Sequence, residues 1–366
     1  MIPTISISEL VSSSSSSSSS SKITESQIIN EIDERIGRAC VEVGFFVVVD
    51  HGISKTLQRD LENASREFFQ LSVEKKREIH MSRAGKSWRG WFAVGEELTS
   101  SIVDEKEGIY FGTETPSDQR PLHGSNLYGE HKNLARVVPL YMNQMERLGR
   151  ILLQSIARFL KLSDFDSEFA KQFRRPTCLF RCFRYRTRFL TLSFRHIHTH
   201  TQTHKHTAPH DPTKFDSNVY GVGEHTDYGY LTILKTDGSD GLQVKTYDGR
   251  WYDVPHVENG FVINLGDALE HNTQGLLRAT PHRVVQRKGA TRARFSWPFF
   301  FDPDFDSEMV SVKLPPSLAC IAKKRRMQEQ SRWDGKDPLK YRGTYGEYLM
   351  AKVSKVFPEL AQKSKL

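Results

Sequence analysis

Apolar residues recur at helical spacing through Ile28, Ile29, Ile32, Ile36 and Cys40, and Gly44 closes that run. Upstream, residues 2–10 alternate apolar and small polar side chains, which predicts a short strand. Residues 12–21 are all serine, offer nothing to bury, and are expected to form a disordered surface loop. The apolar run 45–49 predicts a buried strand, and residues 56–69 and 73–79 read as helices. A longer amphipathic pattern covers 139–162 through Leu140, Met142, Met145, Leu148, Leu152 and Ile156. Pro139 suits the first turn of such a helix, which would brace a sheet.

After Phe180 the period changes from helical to strand-like. Strands are expected at 179–185, 230–234, 242–245, 261–265, 282–286 and 294–301, punctuated by Gly and Asp-Gly turns such as Asp248-Gly249. Helices first and short strands afterwards predict an α+β chain, with a helical layer packed on a double-sheet barrel or jelly roll.

The chain has 366 residues, enough for a substantial core in one large domain or two. No stretch is apolar for long enough to span a bilayer, and the N-terminus does not read as a secretory signal. A transit peptide is disfavoured, because a strand-like element precedes the serine run and no arginine-rich amphipathic stretch accompanies it. Cys40, Cys178, Cys182 and Cys320 lack tight metal-binding spacing and are expected to be reduced thiols in a cytoplasmic protein. The formal charge of +8 invites a nucleic-acid reading. Half of that excess, however, comes from Arg186, Arg188, Arg195 and Lys205, in a stretch without acidic residues. The expected partner is a small-molecule substrate, with no nucleic acid, membrane or protein partner implied.

That basic stretch, residues 186–208, is unlike its surroundings. It contains His196, His198, His200, His204 and His206, interleaved with threonines. A metal-binding tract is one reading. A CACACA nucleotide repeat also encodes His-Thr-His-Thr, and the segment interrupts a predicted strand. Translated intron or a recent insertion is therefore the favoured reading, with the segment looping out of the fold.

The chemistry concentrates at Gly223-Glu224-His225-Thr226-Asp227-Tyr228-Gly229 and Thr280-Pro281-His282-Arg283-Val284. Two histidines and an aspartate form the ligand set of a mononuclear iron site with open positions. If His225 and Asp227 share a strand, period-two alternation points both to one face, and His282 arrives from a strand distant in sequence. Singly, each has a duller reading: a hydrogen-bonded strand histidine, or turn chemistry at Asp227-Tyr228-Gly229. Their order, with Arg294-Phe295-Ser296 following, favours the metal reading. His51, His80, His123, His131, His256 and His271 lack such context and are expected to be structural.

These motifs resemble those of the plant-type 2-oxoglutarate and iron(II)-dependent dioxygenases, in the isopenicillin N synthase-like superfamily. The resemblance extends over most of the chain, through Ile2-Pro3-Thr4-Ile5, Gly44-Phe45-Phe46, Asp50-His51-Gly52, Arg66-Glu67-Phe68-Phe69 and Asn264-Leu265-Gly266-Asp267. It implies a distorted double-stranded β-helix, or jelly roll, braced by N-terminal helices. Residues 1–175 would be the helical, substrate-side region, 176–310 the iron- and 2-oxoglutarate-binding β-helix with the insertion, and 311–366 a C-terminal helical region. His225, Asp227 and His282 would ligate Fe(II). Arg294 and Ser296 would hold the distal carboxylate of 2-oxoglutarate, since a guanidinium fork matches a carboxylate. Tyr185 would contact the same cosubstrate, although the proline that follows it in the family is displaced here to Pro209. No catalytic residue beyond the metal ligands is implied.

The implied reaction consumes 2-oxoglutarate and O2, with ascorbate as a candidate reductant, and releases succinate and CO2 while a small metabolite is hydroxylated or desaturated. Aromatic residues near Trp91, Phe111 and Phe299 are candidates for the substrate pocket, with Trp91 and Phe111 equally readable as core. Two alternatives stay open: an oxidase of the isopenicillin N synthase or aminocyclopropane-carboxylate oxidase type, which works without 2-oxoglutarate, and an inactive metal-binding homologue.

Overall fold

The computed structural model describes residues 2–13, 22–99, 102–162, 168–185, 219–286, 292–328 and 337–357. The histidine-rich segment 186–208 and most of the serine run lie outside these. The N-terminal half contributes β1 (Thr4–Ser6), α1 (Ser8–Ser13), α2 (Lys22–Glu42), β2 (Phe45–Val49), α3 (Lys55–Gln70) and α4 (Val73–Arg77). It continues with β3 (Gly90–Phe92), β4 (Leu98–Thr99), β5 (Ile102–Val103), β6 (Lys106–Gly112), α5 (Lys132–Phe159) and α6 (Glu168–Lys171). Strands then dominate: β7 (Thr177–Tyr185), β8 (Val219–His225), β9 (Leu231–Thr236), β10 (Leu242–Lys245), β11 (Trp251–Asp253) and β12 (Phe261–Leu265). The short α7 (Asp267–Asn272), β13 (His282–Gln286), β14 (Arg294–Asp302), α8 (Pro316–Gln328) and α9 (Tyr345–Val356) complete the chain.

Two principal sheets form the jelly roll. The larger runs β1-β2-β12-β9-β14-β7-β6-β3, and the smaller β11-β10-β13-β8. Strands from both halves of the sequence therefore share the larger sheet. All its pairings are antiparallel except β1 with β2.

Period-two alternation gives this sheet two different faces. On β14, Phe295, Trp297, Phe299 and Phe301 turn to the outer face. There Arg66 lies over Phe295, Trp297 donates to Ser65, and Phe301 meets α5 at Gly149. Arg294, Ser296, Pro298 and Phe300 turn inward to line the cavity between the sheets. On β6, Glu107 points outward to Lys76, Arg184 and Trp91, while its neighbour Lys106 points inward.

Three local expectations are corrected. The N-terminal strand stops at Ser6, where pairing with Val49 ends, and the chain coils into α1. Ile7, Leu10 and Val11 fall at i, i+3 and i+4, which is helical spacing and not alternation, and Leu10 is buried from the helix. Ser12 and Ser13 thus belong to a helix rather than to a loop. Pro139 lies inside α5, which begins at Lys132, instead of in its first turn. It sits on an exposed stretch of the helix, where water can satisfy the carbonyl its missing N–H leaves free. Gly44 ends α2 with φ +71, and a Cβ there would come within 2.3 Å of the Arg278 carbonyl oxygen.

The four cysteines are free thiols, three of them buried. Among the described residues, no helix is long and apolar enough to cross a membrane.

Candidate metal centre and active site

His225 is the last residue of β8 and His282 the first of β13, and the two are direct partners in the antiparallel ladder. Their ring centroids are 4.2 Å apart. The ladder shifts register between His282 and Val284, an irregularity that re-aims side chains at the strand end. Asp227 corrects the sequence expectation, because β8 ends at His225 and the aspartate lies in the irregular segment that follows. Hydrogen bonds, rather than the pleat, orient its carboxylate. Its Oδ2 accepts from the Thr232 hydroxyl and, at 2.7 Å, from the Asn264 amide. That leaves Oδ1 facing both rings, 3.8 Å from each Nε2.

The tautomers follow from the same logic. Nδ1 of His225 lies 2.8 Å from the Gly223 carbonyl oxygen, and Nδ1 of His282 lies 3.1 Å from that of Thr280. A carbonyl only accepts, so each Nδ1 carries its proton and each Nε2 turns a lone pair inward. Burial, followed by the neighbouring His282, lowers the His225 pKa to about 4, so its ring is neutral at physiological pH. Burial alone would raise the Asp227 carboxyl, but the imidazoles with Thr232 and Asn264 hold it below its ordinary range. The three ligand atoms lie within 4.8 Å of one another. Two imidazole Nε2 atoms and a carboxylate oxygen converge, a donor set that suits a divalent iron ion.

Arg294, Tyr185 and Ser296 come together beside this group. Arg294 and Tyr185 are cross-strand partners, with the guanidinium 4.9 Å from the centre of the tyrosine ring. The Ser296 and Tyr185 hydroxyls are 3.4 Å apart. Arg294 is 8 % exposed, yet among the described residues its Nε and Nη1 have no hydrogen-bond partner. A buried guanidinium with free donors is matched to a carboxylate that arrives from solution.

The cavity continues beyond this pair into a lobe that sequence reasoning missed. Glu97, Lys106 and Arg181 line it, together with Leu349, Val353 and Phe357 on and just after α9. Asp302 also faces the cavity, where burial pushes its carboxyl up to about 7. Arg181 was in principle legible, since it stands four residues before Tyr185 on one strand and so shares its face. Glu97 and the α9 residues carry no comparable local signal. The aromatic expectations are redistributed. Trp91 and Phe111 are core residues, packed against His80 and against Tyr128 and Phe180 respectively. Phe299 faces outward, and its neighbour Phe300 reaches the cavity. His51 and His271 are held by the carbonyl oxygens of Asn259 and Tyr341, and His80 by Glu96.

Residues 2–131 match the family described as the N-terminal region of non-haem dioxygenases in morphine synthesis, and residues 191–303 match the 2OG-Fe(II) oxygenase superfamily. The chain is 38% identical over 346 residues to a probable iron/ascorbate oxidoreductase of Dictyostelium discoideum, covering 90% of each chain. It is 31% identical to a 1-aminocyclopropane-1-carboxylate oxidase of the same organism, over 91% of this chain and 92% of that one. In structure it is similar to a Neurospora crassa protein solved in complex with alpha-KG and thymine, with a TM-score of 0.68 at 20% identity over 97% and 96% of the two chains.

Proposed function

The chain belongs to the 2OG-Fe(II) oxygenase superfamily, and on that premise we propose that His225, Asp227 and His282 ligate iron(II) while Arg294, Ser296 and Tyr185 hold the distal carboxylate of 2-oxoglutarate. The enzyme is a 2-oxoglutarate- and iron(II)-dependent dioxygenase of a small organic molecule, with O2 as oxidant and ascorbate as a candidate reductant. The observation that carries the site assignment is the convergence of two Nε2 lone pairs and Asp227 Oδ1, beside a guanidinium with free donors.

When bound, iron and its cosubstrate supply the oxidising power, as 2-oxoglutarate and O2 yield succinate and CO2 while the substrate is hydroxylated or desaturated. The protein's own residues do the positioning. Gly223 and Thr280 hold the two rings in the tautomer that ligates, while Thr232 and Asn264 fix which carboxylate oxygen is offered. Arg294 meets the distal carboxylate with charge-assisted hydrogen bonds, and the Ser296 and Tyr185 hydroxyls add donors beside it. Phe183, Phe300 and Val284 give the cavity apolar walls that exclude water.

We further assign residues 1–175 to the substrate side, 176–310 to the cofactor-binding β-helix and 311–366 to a C-terminal helical cover. The N-terminal helices brace the larger sheet in this reading, which the contact of Gly149 with Phe301 supports. The cytoplasm is the compartment this reading gives the enzyme.

An anaerobic titration with iron(II) and 2-oxoglutarate tests the site. A visible metal-to-ligand charge-transfer band is expected in the full chain and in a version lacking residues 186–208. A band confined to the shortened version would mean that the segment obstructs the site. The similarity to 1-aminocyclopropane-1-carboxylate oxidase favours a second reading, in which Arg294 and Ser296 hold a different carboxylate and 2-oxoglutarate is not consumed. Succinate formed in step with turnover supports the first reading, and turnover without succinate supports the second.

A further inference from the structure

The cavity holds a second guanidinium that, among the described residues, has a carboxylate nearby but no hydrogen bond. Arg181, inward-facing on β7, lies between two aromatic rings, 4.1 Å from the centre of Tyr110 and 4.7 Å from that of Phe300. Stacking uses the faces of a guanidinium and leaves its N–H edges free. Among the described residues, no hydrogen bond satisfies those edges. The buried Nε has no partner, and the nearest carboxylate oxygen, Glu97 Oε1, is 3.9 Å from Nη1, outside bonding distance.

Glu97 is engaged elsewhere. It accepts from the Tyr110 hydroxyl and lies 2.9 Å from Lys106, whose ammonium also contacts Asp104. All of Glu97, Asp104 and Lys106 are almost completely buried. Burial alone would raise Glu97, but Lys106 and then Arg181 hold it below its ordinary range, so it stays ionised. Burial raises Asp104, against the pull of Lys106, and the neighbouring Glu97 adds to the rise. Lys106 thus lies between the two carboxylates at bonding distance, while Arg181 meets Glu97 only at 3.9 Å.

Arg181 is not positioned to share the ligand of Arg294. Arg294 pairs with Tyr185, four residues along β7 from Arg181, which sets the two backbone positions about 13 Å apart along the strand. Both nevertheless line one cavity with the metal group, and Asp227 acts electrostatically on Arg181. Leu349, Val353 and Phe357 wall the same lobe with hydrocarbon.

We propose that Arg181 binds the carboxylate of the primary substrate, so that the enzyme oxidises a carboxylic acid with an apolar or aromatic body. The assignment rests on the reading that gives Arg294 to 2-oxoglutarate.

The test uses the full chain loaded with iron(II) and 2-oxoglutarate under nitrogen. Calorimetry compares 3-phenylpropanoate, phenylacetate and decanoate with their neutral amides, while the charge-transfer band is followed in parallel. At least one acid is expected to bind ten- to a hundredfold more tightly than its amide, roughly the contribution of a charge-assisted pair. Arg181→Gln should erase that preference and keep the band, and Arg181→Lys should retain part of it. The proposal is overturned if acids and amides bind alike, if no acid binds up to about 10 mM, or if Arg181→Gln preserves the preference. Should Arg181→Gln fail to fold, the wild-type acid–amide comparison and Arg181→Lys decide. A missing band with acid binding still dependent on Arg181 would remove the cosubstrate reading and leave this one standing.

Discussion

Asn264→Leu isolates the hydrogen bonding behind the metal centre. The Asn264 amide donates to Asp227 Oδ2 at 2.7 Å, and the side chain is 2 % exposed. Leucine fills a similar volume without a donor, so packing in β12 is largely preserved while the carboxylate loses one of its two side-chain anchors. Thr232 remains as the other. A hydrogen bond to a charged group contributes about 1.5–3 kcal/mol, and loss of such an outer partner typically weakens metal binding about ten- to a hundredfold. Iron(II) affinity should therefore fall by that factor, with Oδ1 free to swing away from the histidines. Anaerobic competition against a chelator measures it, and thermal melts of the metal-free protein separate a metal defect from a folding defect. Thr232→Val should act in the same direction. The double variant should lose less than the sum of the two, because both donors hold one oxygen. Unchanged iron affinity in both single variants, with melting intact, would refute the argument that these donors orient Asp227.

Four further outcomes are expected. His225→Ala, Asp227→Ala and His282→Ala should each abolish turnover, and full activity in any one removes that residue from the ligand set. Arg294→Gln should raise the half-saturating 2-oxoglutarate concentration about ten- to a hundredfold, whereas an unchanged value in steady-state kinetics would free Arg294 from that role. Gly149→Ala places a Cβ 2.6 Å from the Phe301 ring and should cost about 1–3 kcal/mol of stability in urea unfolding. Equal stability would mean that the helix and sheet adjust there without strain. Deleting residues 186–208 joins Tyr185 to Pro209 and should leave iron binding intact, measured by the same chelator competition.

Much of this arrangement was legible because it is written in local periods. The run 45–49 could only be a buried strand, and Gly44 closes the preceding helix because its backbone adopts a positive φ against Arg278. The Arg294-Phe295-Ser296 alternation puts two donors on one face wherever the strand sits. Local pattern misled where the alternation of Ile5 and Ile7 runs into the helical spacing of Ile7, Leu10 and Val11, and where exposure rescued a breaker, as at Pro139.

The sequence by itself determined most kinds of elements, singled out His225, Asp227 and His282 as the proposed ligands, and carried the chemical match of Arg294 to a carboxylate. Only the tertiary structure decided that His282 pairs directly with His225, that Asp227 leaves the strand and is aimed by Thr232 and Asn264, and that Arg181 shares a cavity with the metal group. Propensity and alternation act over a few neighbouring residues, so they can be read along the chain. Ladder register and hydrogen bonds between residues far apart in sequence depend on how the strands are stacked, and those relations exist only once the sheets have formed.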